Sequence, residues 1–352
     1  MERRFVAVNG RQVHCTLLGN GGPAVVLLHA SPGDWSPLRA LATELARTCT
    51  VYALDTPGHG GSDPLPVPDP AMSDYGDALG DTLAALGLDR AHLYGTHTGA
   101  KIALSLAVSR PDAVASLVLD GIGVSTPEER ADQLARYLPP VVPRSDGGHL
   151  VAAWHQVRNM FLYWPWYNER AEARLPGAPP AAAYLHEMTA GLLEAGEHYP
   201  LAYRAAFTCD PVPLLARLTV PALILASPAD PLHAHLARLP GDFQVETSAS
   251  DPAELAARVR AHVQAAGPQP GPVPPPGEQG ARSYVDTRLG QMLVRRAGPG
   301  GGRPLVVLPP APASSGAVTR VLAEAGRRRP AYALDLPGTG RSGLGELGEV
   351  RR

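Results

Sequence analysis

Through residue 265 of the chain, short continuous apolar runs alternate with stretches whose apolar positions fall at helical spacing. That alternation is the signature of an α/β fold, a mostly parallel sheet covered by helices. Arg4–Val8 and Gln12–Leu18 flank Asn9-Gly10 and predict an opening hairpin with a tight turn. Ala24–Leu28 and Val51–Leu54 are unbroken apolar runs, as strands buried on both faces require. Between them Ser36-Pro37 marks a helix start, with Leu38, Ala42 and Leu45 on one face. A second helix is predicted over Ala78–Leu86, closed by Gly87. Ala91–Tyr94 reads as a strand and Gly99–Ser109 as a helix that stops before Pro111. Ala115–Leu119 is the next strand. From about Gly121 to Asp210 the rhythm breaks into helical, Pro-rich segments that hold Trp154, Trp164 and Trp166, and this stretch reads as an inserted cap. Strand patterning resumes at Ala222–Leu225, and Asp251, Pro252 and Glu254 open a closing helix with Leu255, Val259 and Val263 on one face.

Three parts follow from this pattern: a domain over 1–265 with its cap at about 121–210, a linker over 266–280, and a remainder over 281–352. The linker holds six prolines and is expected to be semi-rigid. The remainder is an internal echo. Tyr332-Ala333-Leu334-Asp335-Leu336-Pro337-Gly338-Thr339-Gly340-Arg341-Ser342 repeats the form of Tyr52-Ala53-Leu54-Asp55-Thr56-Pro57-Gly58-His59-Gly60-Gly61-Ser62, and Pro304–Leu308 echoes Pro23–Leu27. Parallel strands need cover on both faces, and this partial copy lacks the helices and neighbours to supply it. It is expected to dock on the first domain, to dock on another chain as part of a homo-oligomer, or to stay loose.

Composition narrows the function classes. Hydrophobic residues make up 45% of 352, enough for a sizeable core. The net charge of −2 and the lack of long basic runs argue against a nucleic-acid surface or a polybasic membrane patch. Cys15, Cys49 and Cys209 are too scattered for a disulfide framework or a zinc site. No apolar signal region follows Met1-Glu2-Arg3-Arg4, and no stretch is long enough to span a bilayer, so a soluble cytoplasmic protein is expected. Lys101 is the only lysine.

Four landmarks in one order resemble the α/β-hydrolase superfamily. Leu27-Leu28-His29-Ala30-Ser31-Pro32-Gly33 stands where that family has its oxyanion loop. Asp55-Thr56-Pro57-Gly58-His59-Gly60-Gly61-Ser62-Asp63 is similar to its D-x-P-G-x-G-x-S-D turn. Gly95-Thr96-His97-Thr98-Gly99 occupies the strand-to-helix bend of its G-x-S-x-G nucleophile elbow. Val220–Asp230 resembles the late strand that delivers the triad acid, here Asp230. The resemblance implies an α/β-hydrolase fold and an oxyanion hole built from the N–H groups of Thr98 and of Ala30 or Ser31.

Two departures change the expected chemistry. The elbow carries His97 in place of serine, and the stretch Gln244–Asp251, where the family's general-base histidine belongs, contains no histidine. Ordinary Ser-His-Asp acyl transfer is therefore not supported. An imidazole at the elbow is long enough to fill the vacated space and to reach either Asp230 or Asp120. A carboxylate on one ring nitrogen leaves the other as a base, and the opposing helix N-terminus sets the expected pKa near ~6.5. His97 then serves as a base or as an atypical nucleophile on a small apolar or aromatic carbonyl or ester substrate, with no cofactor and no metal. Non-hydrolytic lyase, isomerase or cyclase chemistry on the same scaffold is the alternative, as is an inactive homologue that binds a ligand or partner. Trp35, Phe161, Trp164 and Trp166 are candidate substrate contacts, although the aromatic run 160–167 also suits a core of the cap itself. His29 and His59 read as structural, and His233 and His235 as surface residues.

Overall fold

The computed structural model describes residues 1–241, 243–267 and 280–343. The chain divides into two compact units, Leu17–Val273 and Met1–Thr16 together with Pro274–Arg352. The division differs from a first domain over 1–265, because the N-terminal residues group with the tail. Most of the linker read over 266–280 lies outside the described residues.

The chain opens with β1 (Glu2–Val8) and β2 (Arg11–Leu18). Both turn residues between them, Asn9 and Gly10, have positive φ (50° and 76°), the geometry a two-residue hairpin with right-handed strand twist demands.

The larger unit continues with β3 (Ala24–Leu28), α1 (Arg39–Leu45), β4 (Thr50–Leu54), α2 (Met72–Ala85), β5 (Ala91–Thr96), α3 (Thr98–Ser109) and β6 (Val114–Asp120). After the cap come β7 (Ala222–Ala226), β8 (Gln244–Thr247) and α9 (Pro252–Ala265). The strands lie in the order β4-β3-β5-β6-β7-β8, and every neighbouring pair is parallel. Every residue of β3 and of β4 is buried, which explains their unbroken apolar sequence. One face of the sheet packs on α1 and α9 through Leu41, Leu45, Ala256, Val259 and Val263.

Helix α2 starts at Met72, six residues earlier than its pattern predicts. Gly76 and Gly80 interrupt that pattern, yet they serve packing. A Cβ at Gly76 would lie 2.7 Å from Ser105 Oγ, and one at Gly80 would lie 3.0 Å from Leu106 Cδ1, so the glycines let α2 approach α3 closely. Asp251 caps α9 as predicted, its carboxylate accepting from the N–H groups of Ala253 (2.9 Å) and Glu254 (3.0 Å).

Between β6 and β7 lies the segment read as a cap, with α4 (Pro127–Arg136), α5 (Gly148–Met160), α6 (Ala182–Ala195) and α7 (Tyr199–Thr208), and after it the short α8 (Val212–Leu215). The segment has its own core of Tyr137, Val157, Leu185, Leu192, Tyr199 and Tyr203, against which Phe161, Trp164 and Trp166 pack.

The smaller unit carries β9 (Arg282–Thr287), β10 (Gly290–Ala297), β11 (Leu305–Val307), α10 (Thr319–Gly326) and β12 (Ala331–Leu334), in the sheet order β11-β12-β10-β9. The tail is better covered than its sequence implies. Leu322 of α10 packs on Ala331 and Ala333. Tyr284 stacks on Phe5 at 5.4 Å, Gln12 Oε1 accepts from Arg282 N–H (2.8 Å), and Gln291 Oε1 accepts from Arg3 N–H (2.7 Å).

The two echoing turns share their hydrogen bonds. Asp55 accepts from Trp35 N–H (3.1 Å) and Gly61 N–H (2.8 Å), and Asp335 accepts from Ser315 N–H (2.6 Å) and Arg341 N–H (2.8 Å). The strand register corrects one detail of the echo. Val26 pairs with Tyr52 and Val306 with Tyr332, so Pro304 corresponds to Ala24 and not to Pro23. Among the described residues no helix is long and apolar enough to cross a membrane.

Candidate active site

The bend between β5 and α3 places His97 at φ 49° and ψ −107°, a backbone conformation costly for any residue but glycine. Its flanking glycines make the bend possible. A Cβ at Gly95 would come within 2.6 Å of Ala100 N, and one at Gly99 within 2.8 Å of His29 O. The backbone is pinned from the next strand, where Asp120 O accepts from His97 N–H at 2.9 Å.

Of the two carboxylates proposed to hold the ring, Asp230 does so: His97 Nε2 lies 2.7 Å from Asp230 Oδ2. The other oxygen, Asp230 Oδ1, accepts from Leu232 N–H at 2.7 Å, which fixes the carboxylate. With Nε2 donating to Asp230, Nδ1 is the nitrogen left for proton transfer. Gly121 (φ 65°) makes room for the pair, because a Cβ there would stand 2.5 Å from His97 Nε2 and 2.7 Å from Asp230 Oδ2.

Asp120 has other partners. Its Oδ2 accepts from Tyr94 OH (2.6 Å) and from Ser248 Oγ (3.0 Å), so its carboxylate acts on the His97 ring only through its charge. Ser248 follows β8, in the stretch where the family's general-base histidine belongs.

The electrostatics follow from these contacts. Burial by itself lowers the His97 pKa, but the hydrogen bond and charge of Asp230, joined by the charge of Asp120, outweigh it, and the net shift is upward. This exceeds the near-neutral balance expected from sequence. For Asp230 burial works upward, but the His97 hydrogen bond and charge prevail and hold it below the usual carboxylate range. Asp120 is raised, chiefly by burial.

The loop after β3 lies under the same cavity. Thr56 N–H donates to His29 Nε2 (2.9 Å), leaving the proton on Nδ1, which donates to Ala30 O (2.8 Å). His29 therefore shapes the loop. Ser31 O accepts from Tyr203 OH of the cap at 2.6 Å. Thr98 opens α3, so its N–H has no acceptor within the helix.

Two cavities meet at His97, whose side chain keeps 37% exposure. The larger, about 460 Å³, is lined by Ala30 and Ser31 and by the cap residues Phe161, Trp164, Tyr184 and Met188. The smaller, about 70 Å³, is lined by Ser31, Thr98, Lys101, Gln133 and Tyr203. Tyr137 and Trp164 border both.

Two proposed substrate contacts lie elsewhere. Trp35 is 6% exposed, belongs to the sheet's core and lines neither cavity. Trp166 also lines neither; its Nε1 donates to Tyr137 O at 3.0 Å. His235, read as a surface residue, is buried and accepts from Val124 N–H through Nδ1 at 3.0 Å. Tyr137, Tyr203 and Gln133 were missed because nothing local sets them apart from other cap residues. Lys101 had a visible signal: it is the only lysine of the chain and falls in the first turn of the helix that follows His97.

A sequence model of the α/β-hydrolase fold matches residues 23–232, and the chain belongs to that family. It is 31% identical over 192 residues to a fluoroacetate dehalogenase of Burkholderia, which spans 52% of this chain and 55% of the relative. It is 38% identical over 116 residues to a 2-hydroxy-6-oxononadienedioate/2-hydroxy-6-oxononatrienedioate hydrolase of Pseudomonas putida, covering 32% of this chain and 41% of that one. The chain thus matches about half or less of the length of these relatives. Among solved structures, epoxide hydrolase A of Mycobacterium thermoresistibile superposes with a TM-score of 0.58 at 21% identity over 76% of this chain and 99% of its own. The enol-lactonase of Burkholderia xenovorans gives 0.54 at 19% identity, covering 74% and 97%. These two likenesses are of fold.

Proposed function

We propose that the chain is a cofactor-independent hydrolase of small apolar or aromatic carbonyl or ester substrates, with the His97–Asp230 pair as its base. The observation that carries this reading is the 2.7 Å contact between the elbow imidazole and a fixed carboxylate, beneath a cap and open to a cavity. Its relatives support the class, being named as a dehalogenase and a hydrolase.

In this reading Nδ1 takes a proton from water as the water oxygen bonds to the carbonyl carbon. The resulting oxyanion accepts from Thr98 N–H and from Ala30 or Ser31 N–H. Collapse breaks the bond to the leaving group, which takes the proton back from the imidazolium. Asp230 stabilises that imidazolium while it exists. Proton abstraction beside a carbonyl is the second reading, favoured by the lack of any hydroxyl, thiol or carboxylate at the elbow position.

A panel of p-nitrophenyl esters of aromatic and short aliphatic acids tests the proposal. Turnover is expected in the parent chain, with resistance to serine-directed phosphonates. His97→Ala should lower kcat by about a hundredfold or more while the fold is kept. Full activity in His97→Ala would refute the assignment.

A further inference from the structure

Helix α3 buries Ala100, Ile102, Ala103, Leu104 and Leu106, and Lys101 stands among them at 6% exposure. Its Nζ donates to Ala206 O (2.8 Å) and Cys209 O (2.9 Å), at the C-terminal end of α7, where the helix dipole is negative. Those carbonyls make the buried cation tolerable. They use two of the three N–H groups of an ammonium. No carboxylate pairs with Lys101 among the described residues, although a buried charge normally demands an opposite one.

Further hydrogen-bond donors border the cavity beside Lys101. Lys101 lines the 70 Å³ cavity shared with His97. Ser31 Oγ, on the same wall, is buried without a hydrogen-bond partner. Gln133, 4% exposed, uses Oε1 to accept from Ser125 Oγ (3.2 Å), which leaves its amide N–H groups to the cavity. Every one of these groups can donate, and none of them carries negative charge. Three residues of α3, Thr98–Ala100, lie between Lys101 and His97 at the helix N-cap.

We propose that Lys101, with Ser31 Oγ and the Gln133 amide, forms an anion subsite that binds a carboxylate of the substrate a few atoms from the carbon presented to His97. The subsite deepens the hydrolase reading by naming its substrates as small organic acids, and it rests on that reading only for what happens after binding. Burial, with the charge of Arg130 and against the opposing pull of Cys209 and Asp210, lowers the Lys101 pKa to about 8, so anion binding should fade above that pH.

The test is calorimetric titration of the full chain with butyrate and with butyramide, its neutral isostere. Butyrate should bind near neutral pH at least about tenfold more tightly than butyramide. Lys101→Met should abolish that preference, and Lys101→Arg should retain part of it. Should Lys101→Met fail to fold, Gln133→Leu serves instead and should weaken butyrate several-fold. Equal binding of the two ligands would overturn the proposal, as would butyrate affinity unchanged in Lys101→Met or in Gln133→Leu. His97→Ala should still bind butyrate, so loss of turnover without loss of binding separates the base from the subsite. Butyrate selectivity with full turnover in His97→Ala would keep the subsite and sink the base.

Discussion

At the scale of single residues, the His97–Asp230 pair proposed as the base should set the pH behaviour. A base acts when deprotonated, and the His97 pKa is raised, so kcat/KM should climb with pH through a midpoint above the ordinary ~6.5. Asp230→Asn removes the main term that raises it, so that limb should move to lower pH while the plateau falls by about a hundredfold. Stability carries the same signature with opposite slopes. A raised histidine contributes below its unfolded pKa and loses that contribution as pH rises through the folded value. A lowered aspartate contributes above its unfolded pKa and loses it as pH falls through the folded value. The thermal-stability gap between the parent and Asp230→Asn should therefore be widest between about pH 4 and 6.5. Gly121 offers a second check. Gly121→Ala adds a Cβ 2.5 Å from His97 Nε2 at a φ of 65°. It should cost about 1–3 kcal/mol in urea unfolding and reduce turnover together with it.

At the scale of elements, the aromatic run at the end of α5 divides its labour. Trp164 borders both cavities, whereas Trp166 faces Tyr137 and Tyr167 at ring distances of 6.1 and 5.7 Å. Trp164→Ala should raise KM for aromatic esters several-fold. Trp166→Ala should leave KM alone and lower the unfolding free energy by about 1–3 kcal/mol. The opposite pattern would return Trp166 to the site. The sequence marked this run as aromatic but not its directions, because adjacent residues leave a turn at angles that only packing fixes. Similarly, the pattern of α2 was obscured by two glycines whose purpose lies in the neighbouring helix.

At the scale of the whole molecule, the chain is two units, each with its own sheet-covering helix. The smaller unit joins the first strand to the C-terminal part of the sequence through Phe5–Tyr284 stacking and an Arg3–Tyr284 cation–π contact at 4.6 Å. Tyr284→Ala should speed amide hydrogen exchange in β1 and β9, and protected exchange there would contradict the division.

The sequence by itself determined the sheet-and-helix alternation, the elbow, the two Asp-x-Pro-Gly turns and the presence of His97 and Asp230 at family positions. These are local matters, since strand burial, capping and a glycine-flanked bend are encoded within a few residues. Tertiary structure alone decided that Asp230, 133 residues away, holds the imidazole while Asp120 bonds to Tyr94 and Ser248. It also decided that Trp35 is core and that Lys101 pairs with no carboxylate among the described residues. Those outcomes depend on strand order and on which side chains fill the space between distant segments, and no local pattern carries that information.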